Sequence, residues 1–165
     1  MKDNFPNCIS FSLKAEGGYV NDPKDPGGET KYGISKRTYP SVDIKALTLA
    51  DAIAIYKRDY WDKVQGDTLP AGVDMILLDA AINSGSNKSI KLVQRALGIK
   101  DDGSLGPVTL SAILKADPTK LINDSIEQRL AFLKSLPTWG RYGKGWTTRL
   151  HTLNDYALGM VHTRG

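Results

Sequence analysis

Two carboxylates nine residues apart, Glu16 and Asp25, stand in contrasting surroundings, and a hydroxyl, Thr30, follows five residues later. The periodicity before Glu16 puts it at the C-terminal end of a helix, where the negative end of the helix dipole disfavours ionisation. A partly apolar setting would raise its pKa further, as a general acid requires. Asp25 lies in a run of Asn, Asp, Lys, Pro and Gly that keeps a carboxylate ionised. One protonated and one ionised carboxyl flanking a bond is what glycoside hydrolysis needs. Thr30 adds a hydroxyl able to orient a water. The plainer alternative stands beside this reading: Glu16 is a solvated helix-end residue and Asp25 a turn residue, since exposed carboxylates are common.

Helices must position these groups. Phe5, Cys8, Ile9 and Leu13, with Ser12 beside them, form one face of a first helix, which Gly17-Gly18 should end. From Tyr19 to Ile34 the pattern breaks into turn chemistry, with Pro23, Pro26, Gly27, Gly28 and Gly33. Its tail, Thr30 to Ser35, suits a short strand or hairpin. Thr48 and Asp51 form a capping box for a helix carrying Ala52, Ile53, Tyr56, Tyr60 and Val64. Pro70 suits a first helical position before Val73, Ile76, Leu77, Ala80 and Ala81, a helix that runs to Ser84-Gly85. Ile90, Val93 and Leu97 make another, stopped by Gly98, and residues 100–104 form a turn. Pro107 and Asp117-Pro118 open two more helices. After Pro137, an aromatic and glycine-rich link from Trp139 to Trp146 leads to a last helix with Leu150, Leu153, Ala157 and Met160. The fold class expected is mainly α, with one small β-hairpin.

The run Glu16-Gly17-Gly18-Tyr19-Val20-Asn21-Asp22-Pro23-Lys24-Asp25-Pro26-Gly27-Gly28-Glu29-Thr30-Lys31-Tyr32-Gly33-Ile34 resembles the signature of glycoside hydrolase family 108. The likeness continues through Tyr60-Trp61-Asp62, residues 79–85, residues 94–98, Asp102 to Leu110 and Trp139 to Trp146, and so spans nearly the whole chain. Members are N-acetylmuramidases, mostly phage or prophage endolysins, with a lysozyme-like α+β fold whose hairpin lies next to the catalytic cleft. The resemblance implies Glu16 as the catalytic acid, with Asp25 and Thr30 completing a Glu–Asp–Thr trio. The threonine here stands one residue closer to the aspartate than is usual in related phage lysozymes. The implied reaction is hydrolysis of the β-1,4 bond between N-acetylmuramic acid and N-acetylglucosamine, without a cofactor. The part from about residue 71 resembles a predicted peptidoglycan-binding region. Residues 1–70 supply only two helices and a hairpin, too little to bury a core alone, so residues 1–165 are expected to form one lysozyme-like body.

With a glycan strand as substrate, other residues gain candidate roles. Tyr32, beside the glycines of the loop, could stack on a sugar face or pack; Tyr60 and Trp61 could do the same, with core packing the alternative. Asn83 could hydrogen-bond an N-acetyl group or cap its helix. Gln94, on an otherwise apolar helix, reaches either the cleft or a backbone partner. The expected substrate-binding set is Gly28, Tyr32, Tyr60, Asn83 and Gln94. Asp102-Gly103 and Gly106-Pro107 echo peptidoglycan-binding modules, although a turn and a helix start account for them. Arg141, Lys144 and Arg149 suit either an anionic wall or a solvated basic face. His151 and His162 lack metal-ligand spacing, so no metal is expected. Cys8 reads as core.

Composition sets the outer limits. Of 165 residues, 41% are hydrophobic and 24% charged, the make-up of an ordinary globular domain. The single cysteine excludes an intramolecular disulfide framework. No apolar run is long enough to span a membrane, and Met1 to Pro6 lacks the features of a signal peptide. The protein is therefore expected to be a monomer without a membrane anchor. It would be made in a host bacterial cytoplasm and reach peptidoglycan with help from a separate membrane-permeabilising protein. A net charge of +4 favours polyanions without choosing among them, and no nucleic-acid-reading motif is present. Two rivals remain: a lytic transglycosylase using Glu16 alone, which Asp25 argues against, and a non-catalytic peptidoglycan-binding module resting on Asp102 to Thr109.

Overall fold

The structure, a computed structural model, describes residues 4–14, 19–21 and 28–164. Helix α1 is Phe5–Lys14, followed by strands β1 (Val20–Asn21), β2 (Glu29–Lys31) and β3 (Ile34–Ser35). Then come α2 (Leu49–Tyr56), α3 (Val73–Ser84), α4 (Ser86–Leu97), α5 (Pro107–Lys115), α6 (Pro118–Lys134) and α7 (Trp139–Arg164). The protein is mainly helical with one small antiparallel sheet, as expected. That sheet has three strands in the order β1-β2-β3, not the two of a hairpin. The extra strand is two residues long, too short to show any alternation in sequence.

Helix α3 organises the fold. Every residue from Val73 to Ala81 is buried, with α1, α4, α6 and α7 all packed against it. The apolar core is one connected cluster running from Phe5 of α1 to Ala157 of α7. None of the described helices is long and apolar enough to cross a membrane.

Several local expectations hold in detail. Thr48 Oγ1 accepts from Asp51 N and Thr48 N donates to Asp51 Oδ2, both at 3.1 Å, closing the capping box of α2. Gly85 and Gly98 end α3 and α4, while Pro107 and Pro118 start α5 and α6.

Three elements differ. Helix α3 starts at Val73 rather than Pro70, behind Gly72 at φ +92°, whose N–H donates to Asp74 Oδ1. A side chain at Gly72 would meet the Ala157 carbonyl of α7 at 2.5 Å, so tertiary packing fixes this start. Second, α2 does not run on to Val64. From Lys57 to Trp61 it widens into a π-helical turn, with Asp62 N bonding Lys57 O. The wider turn accompanies complete burial of Trp61, whose indole donates to Asp67 Oδ1 at 3.0 Å and lies on Gly66. Trp61 is thus core. Third, the glycine-rich stretch from Trp139 to Trp146 is not a link but the first two turns of α7. Each helical glycine costs about 1 kcal/mol relative to alanine. Ring contacts among Trp139, Tyr142 and Trp146 along the helix offset that cost.

Gly66→Ala tests the Trp61 seat. The added methyl would lie 2.2 Å from the indole ring. A loss of about 1–3 kcal/mol is expected from overpacking, read by thermal or urea denaturation, and an unchanged midpoint would refute this account of the turn.

Candidate functional site

Glu16 and Asp25 lie outside the described residues, so the structure speaks to what surrounds them in sequence. Glu16 follows the last described residue of α1, Lys14, by two positions, and Asp25 falls between β1 and β2. Asn21 of β1 pairs with Glu29 of β2, and Thr30 pairs with Val20 on one side and Ser35 on the other. Thr30 is half-buried, and among the described residues its hydroxyl makes a long 3.5 Å contact with the Gly28 carbonyl. At that length the bond is weak. Gly28 has φ +69° with open space where a side chain would be, so its conformation, not close packing, calls for glycine.

Two buried carboxylates of α3 fasten α1. Near its N-terminus, Asn4 Nδ2 donates to Asp74 Oδ2 at 2.8 Å. Asp74 also accepts from the backbone N–H groups of Gly72 and Met75. Burial pushes the Asp74 carboxyl up, with these donors opposing. One turn before Glu16, Ser12 Oγ donates to Asp79 Oδ1 at 2.8 Å. Asp79 takes a two-pronged bond from Arg149 of α7, both contacts 2.6 Å, and a 2.7 Å bond from Arg129 of α6. Burial opposes ionisation of Asp79, but the two guanidiniums outweigh it and hold the carboxyl at about 2. Burial pulls the Arg129 guanidinium down, against the attraction of Asp79. One ionised side chain thus joins three helices and the C-terminal half of α1.

The sequence alone does not show this hub: it sets Arg149 against an anionic wall or solvent and gives Arg129 no role. Both are engaged with Asp79, and Arg129 is 3% exposed. A signal was present: Arg129 continues the stripe Ile122, Ile126, Leu133 on α6, and Asp79 interrupts an apolar run. A charge at a core-facing position needs a partner.

The remaining candidates fall into separate groups. Tyr32 and Gly33, with φ of +51° and +78°, form the two-residue loop joining β2 to β3. Positive φ at both positions suits the right-handed twist of a hairpin but strains a tyrosine. The Tyr56 hydroxyl holds that backbone by donating to the Tyr32 carbonyl at 2.6 Å. The Tyr32 ring then lines an apolar trough of about 580 Å³ with Phe5, Ile9 and Leu13 of α1 and Leu49 and Ile53 of α2. Tyr60 is half-buried with its ring 5.7 Å from that of Tyr56.

Asn83 is exposed on the last turn of α3, which Gly85 caps, so capping is not its role. With its amide oxygen turned to the guanidiniums, it accepts from Arg129 at 2.6 Å and Arg149 at 3.3 Å. It lines a cavity of about 180 Å³ with Arg149, Trp146, Leu133 and Leu136.

Gln94 is a correction. It is fully buried, and its amide is spent on Asp102, Ser104 and Thr109, while its carbonyl accepts from Gly103 N at 2.9 Å. Those bonds build the turn that opens α5, so Gln94 has no group left for substrate. The same bonds explain the Asp102-Gly103 motif as a turn. Cys8 is buried in the core. Among the described residues no cluster of His, Cys, Asp and Glu could hold a metal ion.

Comparison with known proteins fits this frame. The family model described as glycosyl hydrolase 108 matches residues 9–85, from α1 to the end of α3. The model described as a predicted peptidoglycan domain matches residues 88–151. The solved structure of SagA from Brucella abortus is 41% identical, covers 98% of this chain and 97% of its own, and superposes with a TM-score of 0.88. No curated protein matches the chain.

Proposed function

Starting from the fact that this chain belongs to glycosyl hydrolase family 108, and is therefore a glycoside hydrolase carrying a peptidoglycan domain, we propose that it is a muramidase. Its bond would be the β-1,4 linkage from N-acetylmuramic acid to N-acetylglucosamine, cut by a lysozyme-like body spanning both matched regions, in a phage or prophage endolysin. Glu16 protonates the bridging oxygen. Asp25 stabilises positive charge at the sugar carbon or, with Thr30, positions the attacking water.

The observation that supports this reading most is the double fastening of α1 to Asp74 and Asp79. A general acid has to be held in place against its substrate, and the helix leading to Glu16 is anchored by hydrogen bonds to two buried carboxyl groups.

Product analysis on purified peptidoglycan tests the reaction. New reducing-end muramic acid is the expected product; anhydro-muramic acid would make the enzyme a transglycosylase. Asp25→Asn keeps shape and removes charge. With folding intact, its rate should fall by at least about 100-fold, the scale of an electrostatic or acid–base contribution. Activity within about threefold of wild type would remove Asp25 from the mechanism.

A further inference from the structure

The first two turns of α7 carry an unusual surface. The ring of Tyr142 stacks on that of Trp146 with centroids 5.6 Å apart and planes 28° apart, and the Trp139 ring lies 6.2 Å from that of Trp146. Gly143 is what lets the rings lie together, since a side chain there would come within 2.6 Å of the Trp139 indole. Tyr142 is 44% exposed. Trp146 lines the Asn83 cavity, so the ladder leads from that cavity outward across the surface.

The charge around the ladder is one-sided. No acidic residue occurs from 128 to 154, where Arg129, Lys134, Arg141, Lys144 and Arg149 all lie. Arg129 and Arg149 are taken up by Asp79. Lys134, Arg141 and Lys144 are exposed, and none has an ion-pair partner among the described residues. Two of them lie over the rings themselves: Lys134 Nζ is 6.0 Å from the Trp139 centroid and Arg141 Cζ 5.2 Å from that of Tyr142. Such contacts keep the cations at the ladder rather than extended into solvent.

We propose that the Trp139–Tyr142–Trp146 ladder, with Lys134, Arg141 and Lys144, is a docking platform for a carboxylate-bearing glycan strand. This rests on the muramidase reading and names the surface by which the substrate is held away from the reacting bond. Sugar rings present C–H faces that lie flat on aromatic rings. The carboxylates of muramic acid and its attached peptides meet the cations. A neutral glycan would use the rings alone, and a protein partner would not require both features in register.

The test uses the full chain and purified sacculi, pelleted with protein at low and high salt, with chitin as the neutral comparison. Tyr142→Ala should raise the half-saturating amount of sacculi at least about fivefold, as for an aromatic anchor. It should leave kcat unchanged, the split expected when binding remote from the reaction is lost, with circular dichroism confirming that the fold is kept. Tyr142→Phe keeps the ring and should retain binding. Arg141→Gln with Lys144→Gln should flatten the salt dependence on sacculi and leave chitin binding alone. If wild type degrades sacculi while Tyr142→Ala binds within about twofold of it and the double variant keeps its salt dependence, the platform is wrong and the muramidase reading stands. Failure of Tyr142→Phe to restore binding would also overturn stacking. If wild type neither binds nor degrades sacculi, both readings fall together.

Discussion

Glu16→Gln is expected to fold as the wild type does, to bind peptidoglycan, and to lose at least about 100-fold in lytic rate, or about 3 kcal/mol of transition-state stabilisation. Glutamine is nearly isosteric and still donates a hydrogen bond, but it cannot deliver a proton. The helix that leads to Glu16 is fixed at Asn4 by Asp74 and at Ser12 by Asp79, so the change should not disturb its surroundings. A solvated glutamate with no role predicts a change within about half a kcal/mol. Turbidity loss of purified sacculi, with circular dichroism to confirm equal folding, separates the two. Equal lytic rates would remove Glu16 as the acid, and equal absence of lysis would overturn peptidoglycan as the substrate.

Asp79→Asn should be the most damaging single substitution for stability among the polar residues of α3. It keeps the shape but leaves Arg129, 3% exposed, and half-buried Arg149 facing one another without the carboxylate between them. Removing one partner of a buried ion pair costs about 3–5 kcal/mol, a fall in Tm of roughly 10 °C for a chain of this length. The loss should depend on pH in a defined direction. The Asp79 carboxyl is held at about 2, below its ordinary 3.8, so its contribution is complete above 3.8 and disappears as pH falls towards 2. Wild type and variant should therefore differ fully at neutral pH and converge only as pH approaches 2. Asp74 does not imitate this, because burial pushes its carboxyl up and protonation there relieves a cost. Urea denaturation of both proteins between neutral pH and pH 2 reads the gap. A gap that stays constant with pH would show that packing, not charge, is what Asp79 supplies.

Much of the frame was legible because its causes are local. A capping box needs only Thr48 and Asp51, three residues apart, and both of its bonds are present. Gly98 stops α4 by taking φ +72°, a conformation that glycine alone adopts without strain, and prolines at 107 and 118 open helices where their missing N–H costs nothing. The family signature was legible for a similar reason: its glycines, prolines and polar residues follow one another without interruption from Glu16 to Ile34.

What the sequence could not show depends on partners far along the chain. The Asp79 hub joins residues 50 and 70 positions apart, and the Asn4–Asp74 bond also spans 70. Gln94 looked available for substrate until the fold closed the 102–104 turn over it. The first turns of α7 looked like a link because glycine disfavours helix, yet its aromatic rings meet one another only when that stretch is helical. Residue types and near-neighbour spacing thus determined most of the helices, the glycine ends of α3 and α4, the proline starts of α5 and α6 and the carboxylates proposed for the chemistry. Tertiary structure alone decided which charges are buried together and what holds α1 in place, because the energy of a buried charge is set by whatever is brought against it, and chain order does not encode that.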